Sequence, residues 1–182
     1  MIRNRGRKTW LALLVAVPCA ASAHNYSYLE GGLVNQDQGS DDETGIRIAG
    51  SYDLAPPIAL FGEYADIDDY EQITAGALFH TALDKQLDLV LGASLENVDV
   101  GVDDDTGIGL RGGLRWQPIN HLEIHPEVRY VDVFDEDSTS VRVAGLFSVT
   151  PELDLQVAAQ GGDDDRFEVG VRYNFGPRST GR

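Results

Sequence analysis

Arginines and acids recur at every second position through much of this sequence, and that spacing is where chemistry would lie. Arg111 and Arg115 keep step with Gly109 and Gly113, while Glu123, His125, Glu127 and Arg129 alternate with Leu122, Ile124 and Val128. Period-two spacing puts such residues on one face of an extended strand. Collected over the chain, that face holds six arginines (Arg47, Arg111, Arg115, Arg129, Arg142, Arg172) and seven acids (Glu63, Asp88, Glu96, Glu123, Glu127, Asp154, Glu168). Near-balance in an enclosed space favours mutual pairing, because a buried charge is retained when it is paired. A selective pore would more naturally carry a ring of one sign. The expected interior is therefore largely salt-bridged and occluded.

The histidines His24, His80, His121 and His125 are the candidates for general acid–base work. Such a base needs a nucleophile or an oriented carboxylate beside it, and no Ser–His or Cys–His pairing presents itself. His125, flanked at two residues by Glu123 and Glu127, reads as a polar member of the charged face. No catalytic residue, metal-ligand set or cofactor motif is expected, and the chain is expected not to be an enzyme. Acids also cluster outside the alternating runs, at Asp37–Glu43, Asp66–Glu71, Asp99–Asp105, Asp132–Asp137 and Asp163–Asp165, which together hold 19 of the 30 acids. Such clusters form solvated, mutually repulsive surface. Their oxygens also suit Ca²⁺ or Mg²⁺, although no cluster has the EF-hand pattern.

The elements that must position these residues follow from the rest of the chain. It has 182 residues and a net charge of −16, which fits one domain and excludes a nucleic-acid binder, since that needs a basic footprint. Residues 1–23 read as a secretory signal peptide. Arg3, Arg5, Arg7 and Lys8 precede an apolar run from Trp10 to Val17, and Ala21-Ser22-Ala23 is a cleavage site that makes His24 the new N-terminus. Cys19 follows Pro18 rather than a small residue, so it belongs to the leader. The exported part, 24–182, then carries 30 acids against 10 bases and no Cys.

Ten alternating runs fill 24–175, near 25–35, 45–54, 58–66, 73–83, 87–98, 106–117, 122–132, 140–149, 153–160 and 166–175. Short connections (55–57, 84–86, 118–121, 150–152) alternate with the five longer acidic ones. A soluble sheet, apolar within and polar without, would show the same alternation. Aromatic placement favours the opposite sense. Tyr52, Phe79, Trp116, Phe147, Tyr173 and Phe175 lie near the short turns, and Tyr64, Tyr70, Tyr130 and Phe167 near the acidic loops. Two aromatic girdles around an aliphatic band mark a lipid-facing surface. The fold expected is all-β, a closed antiparallel transmembrane β-barrel of ten strands, with eight as the alternative. The register of the first strand stays open, because placing Glu30 inside places Tyr26 and Tyr28 inside too.

Two segments carry a family resemblance. The last strand, Glu168-x-Gly170-x-x-Tyr173-x-Phe175, matches the terminal pattern of outer-membrane barrels, with the departure that residues 176–182 follow the aromatic. The opening from Tyr26 to Asn35 resembles the first strand of the small Gram-negative outer-membrane barrels of the OmpA/OmpX-like and opacity-like group. The resemblance implies an outer-membrane location with both termini periplasmic. It implies outer-membrane lipid and lipopolysaccharide as surroundings, divalent cations as candidate bridges to the acidic loops, and recognition of the C-terminal strand by the barrel-assembly machinery. It also implies a structural or interaction role at the cell surface, with a narrow porin-like channel for ions or small solutes as the alternative. The charged inner face disfavours a lipocalin-like carrier of apolar ligands. Omptin-type proteolysis would need a histidine at the outer rim, whereas all four are expected in the periplasmic half or tail.

Overall fold

The computed structural model of the chain describes residues 24–37, 42–101, 103–134, 136–163 and 165–175. The leader 1–23, with its cleavage site and Cys19, the loop acids Asp41, Asp135 and Asp164, and the tail 176–182 lie outside the described residues.

Alternation resolves into ten antiparallel strands among the described residues: β1 (Tyr28–Asp37), β2 (Asp42–Ala55), β3 (Ile58–Ile67), β4 (Tyr70–Ala82), β5 (Leu87–Asp99), β6 (Asp104–Ile119), β7 (Leu122–Val133), β8 (Glu136–Ser148), β9 (Leu153–Gly162) and β10 (Arg166–Asn174). Each strand pairs with its sequence neighbours, and β1 pairs with β10 through nine registered residues from Tyr28↔Asn174 to Gln36↔Arg166, which closes the barrel. Closure leaves no edge, so the backbone groups are satisfied within the sheet as a hydrocarbon surround demands.

The outside is apolar. Leu29, Leu33, Ile46, Ile48, Leu91, Leu95, Leu110, Val141, Val157 and Val169 are all exposed. At the short-turn end Tyr52, Trp116, Phe147, Tyr173 and Phe175 are exposed on the same outer face. Phe167 is exposed at the other end, with Tyr64 and Tyr130 half-exposed. An apolar belt between aromatic girdles is the exterior of a transmembrane barrel, not of a water-soluble one.

Three expectations need correction. Two of the acidic connections are much tighter than their composition suggests. β3 and β4 pair up to Ile67↔Tyr70, leaving Asp68 and Asp69 as the turn, and β7 and β8 pair up to Val133↔Glu136. Pairing continues because Asp68 and Phe134 take left-handed backbone conformations, φ 52° and 59°, that let the chain reverse at once. Asp66, Glu71, Asp132, Glu136 and Asp137 thus sit on strand ends rather than in loops. The second correction is Tyr70, which shares its parity with the buried Thr74 and lies inside, its ring 5.1 Å from the Arg166 guanidinium. It is not part of the outer girdle. The third is the start of the first strand, at Tyr28 rather than residue 25. Residues 24–27 turn into the barrel instead.

Candidate functional site

The inward positions of the strands build a charged lumen. β3 presents Glu63 at mid-height, and three guanidiniums converge on it: Arg47 from β2 at 2.6 Å, Arg111 from β6 at 2.5 Å and Arg129 from β7 at 3.3 Å. Arg129 also holds Glu127 at 2.5 Å. Arg47 reaches Glu30 at 3.1 Å and Glu168 at 3.7 Å, and Arg142 from β8 pairs with Glu168 at 2.7 Å. Arg172 from β10 donates through Nε to Glu30 at 2.6 Å and lies 3.4 Å from Glu123. Arg115 closes the set with a two-pronged bond to Glu123, at 2.8 and 2.9 Å. All six arginines and five glutamates thus belong to one connected network.

Glu30 is buried in that network, which settles the register of β1 and puts Tyr28 inside, its ring 4.1 Å from the Arg172 guanidinium. Three of the seven acids expected to pair with arginine accept hydrogen bonds from other groups. Glu96, only 2% exposed, accepts from Thr74 Oγ1, Ser94 Oγ and Gln72 Nε2. Asp154 accepts from Asn174 Nδ2 at 2.7 Å. Asp88 accepts from the Tyr26 hydroxyl at 3.1 Å and lies 3.2 Å from His24 Nδ1. Hydroxyls, amides and a phenol donate to these acids, although Arg115 is the cross-strand neighbour of Asp88 and Arg172 that of Asp154. Residue type and parity carried no sign of that.

The short-turn mouth is filled by the residues that precede β1. His24, Asn25, Tyr26 and Ser27 are all buried. The Tyr26 ring stacks on His80 at 3.7 Å between centroids, lies 4.6 Å from the Arg115 guanidinium, and packs with Ala59, Phe61, Leu78 and Val90. The Asn25 carbonyl accepts from Arg115 Nη1 at 2.7 Å. Ser27 is anchored by Phe175 N–H donating to its carbonyl at 3.0 Å and by Asp53 N–H donating to its hydroxyl at 3.1 Å. This stopper went unseen in the sequence, where it reads as the start of a strand.

What space remains is small. A central chamber and an outer chamber each have a volume of about 30 Å³. That is room for one or two waters. Arg111 and Arg129 line both chambers and so lie between them. The stopper fills the short-turn mouth, and the arginines crowd the space above it.

Substituting Arg111 by Met is expected to lower stability only modestly, by about 1 kcal/mol. Glu63 keeps Arg47 and Arg129, so no carboxylate is orphaned. The temperature at which the folded band converts to the slower unfolded band in a detergent gel should fall by about 3 °C. A fall as large as that from losing Glu63 itself would show that Arg111 holds more than one contact.

The histidines occupy the short-turn half. His24 and His80 belong to the stopper, His121 is exposed in the turn between β6 and β7, and His125 faces inward 3.8 Å from Glu127. Among the described residues no group of three or more His, Cys, Asp or Glu converges as a metal site.

No known family model matches the chain, and no curated protein matches it in sequence. Its fold does have relatives. The KdgM porin superposes with a TM-score of 0.55 at 16% identity, covering 82% of this chain and 99% of that one. The NanC porin superposes with a TM-score of 0.53 at 10% identity, covering 82% of this chain and 100% of that one. A second KdgM structure, in complex with disordered oligogalacturonate, gives 0.52 at 11% identity, covering 82% and 99%. With its apolar exterior, charged lumen and closed β1–β10 seam, the chain has the transmembrane β-barrel fold, similar to that of the KdgM and NanC porins.

Proposed function

We propose that the protein is an outer-membrane barrel with a structural or interaction role at the cell surface, and that its lumen is sealed. The observation that carries this reading is the single network of six arginines and five glutamates spanning the interior above a filled mouth. Such a network holds the barrel rigid and leaves the outward hairpins as the part free to meet other molecules. In this reading residues 1–23 are removed on export, both termini face the periplasm, and the acidic hairpins face the medium among lipopolysaccharide. Divalent cations bridge those acids to the anionic lipid, and the assembly machinery reads β10. The protein is not an enzyme. The histidines support this by lying in the half of the barrel away from the acidic hairpins.

A second reading, a narrow channel, is favoured by the similarity to porins and by the position of two side chains, Arg111 and Arg129, between the chambers. Conductance separates the two. The purified protein, folded into a planar bilayer with insertion verified by protease protection, is expected to give no discrete openings. Reproducible single-channel steps would replace the sealed-barrel reading with the channel.

A further inference from the structure

The filled mouth of the barrel is acidic. Asp88 and Glu123 lie against His24, 3.2 Å from its Nδ1 and 3.9 Å from its Nε2, and Asp53 lies 3.5 Å from Nε2 of His80, the ring on which Tyr26 stacks. Asp88 is fully buried. The guanidinium of Arg115 serves this whole end. It stands cross-strand from Asp88, holds Glu123 through Nε and Nη2, and donates through Nη1 to the Asn25 carbonyl. Arg172 reaches Glu123 at 3.4 Å but is also bonded to Glu30. The interior as a whole has the same sign, since Asp88, Glu96 and Asp154 join the five glutamates of the network to make eight described acids against six arginines. Buried carboxylates of this kind favour a further positive charge beside them.

His24 brings more than an imidazole to that end. Hydrolysis of the Ala23–His24 amide consumes one water and leaves a carboxylate on Ala23 and an α-ammonium on His24. Four bonds separate this nitrogen from Nδ1, so covalent geometry keeps the two within about 5 Å of each other. His24 is buried, and the residues after it are fixed by Arg115 on the Asn25 carbonyl, by the Tyr26–His80 stack and by the bonds to Ser27. The charge created by processing therefore arises at the acidic end of the lumen and not in bulk water.

We propose that removal of the leader completes the stopper: the new α-ammonium of His24 is retained in the mouth as an ion-pair partner of Asp88 and holds residues 24–27 in place. The inference rests on cleavage after Ala23, as in the function proposed above. It is independent of whether the lumen conducts.

The test uses the amines themselves. Residues 24–182 contain one lysine, Lys85, exposed in the turn between β4 and β5, so the processed chain has two amines. An exposed α-amine, of pKa about 8, is acetylated by acetic anhydride at pH 7 ahead of a lysine, of pKa about 10.4. The folded barrel purified from membranes should reverse that order, with Lys85 modified first and the α-amine about tenfold slower than in the urea-unfolded chain. An α-amine that reacts equally fast in the folded and unfolded protein overturns the proposal. Peptide masses read both sites and also the first residue. A start other than His24 would overturn the cleavage reading and the inference with it, whereas a His24 start with an open amine overturns the inference alone. Asp88→Asn should restore fast acetylation of the α-amine in the folded barrel. Equal protection in wild type and D88N would assign the shielding to burial without Asp88, and the pairing falls. Should D88N fail to fold, wild type acetylated at the α-amine while unfolded and then refolded provides the second measurement. It should melt about 5 °C below protein acetylated on Lys85 alone, and equal midpoints overturn the proposal.

Discussion

Glu63→Gln lowers the unfolding midpoint of the folded barrel by about 10 °C, the largest loss expected of any one lumenal substitution. Three guanidiniums, those of Arg47, Arg111 and Arg129, share this carboxylate. The amide keeps the shape and one acceptor oxygen but loses the charge. Arg47 retains Glu30 and Glu168, and Arg129 retains Glu127, whereas Arg111 has no second carboxylate. Breaking a buried ion pair from one side costs about 3–5 kcal/mol, because the opposite charge remains buried without its partner. The gel conversion temperature measures it, with Arg111→Met as the internal comparison. A Glu63→Gln midpoint within a few degrees of wild type would mean that the network is plastic and that the seven remaining Arg–Glu pairs suffice.

Val157→Arg is the second large effect and tests the outside. Val157 lies at the middle of β9, exposed, with Gly145 and Val169 as its cross-strand neighbours. An arginine at the bilayer midplane destabilises a membrane barrel by about 2–4 kcal/mol, and one near the interface by about 0–1 kcal/mol. Leu153, at the short-turn end of the same strand, supplies the near-interface comparison. Urea unfolding in lipid vesicles should therefore separate Val157→Arg from Leu153→Arg by about 2 kcal/mol. Equal and negligible losses at both positions would describe a surface bathed in water, where such changes stay within about 0.5 kcal/mol, and the transmembrane assignment would fall.

The parts of the molecule that were legible in the sequence are those that repeat. Alternation over Leu122–Tyr130 and over Phe167–Phe175 reports which side chains share a face, and the structure keeps those faces without exception. The strand number follows from the turns, since Pro56-Pro57 and Pro151 interrupt what would otherwise run together. The six inward arginines were visible for the same reason. Their partners were only partly so. Glu123, Glu127 and Glu168 pair with arginine as parity suggests, yet Glu96 has the same parity and is held by Thr74 and Ser94. Which donor stands opposite depends on stagger between strands, which one chain's pattern does not encode.

Apolar inward residues were the other blind spot. Phe61, Leu78 and Val90 face the lumen and carry the stopper, but a leucine or phenylalanine among exposed leucines gives no signal that its side is the inner one. Tyr26 likewise continues the strand-like alternation of Tyr26 and Tyr28 across a point where the backbone has already left the sheet.

The stopper also bears on the order in which the molecule is made. Residues 24–27 precede β1, yet one of their anchors, Phe175 N–H on the Ser27 carbonyl, comes from just beyond β10. The seam pairs the first strand with the last. The earliest residues of the barrel to be synthesised thus gain their last anchor only when the latest arrive. Biogenesis ends where it began. The newly finished cylinder locks its own starting end inside, so a bulky fusion placed directly ahead of residue 24 competes with the final closure.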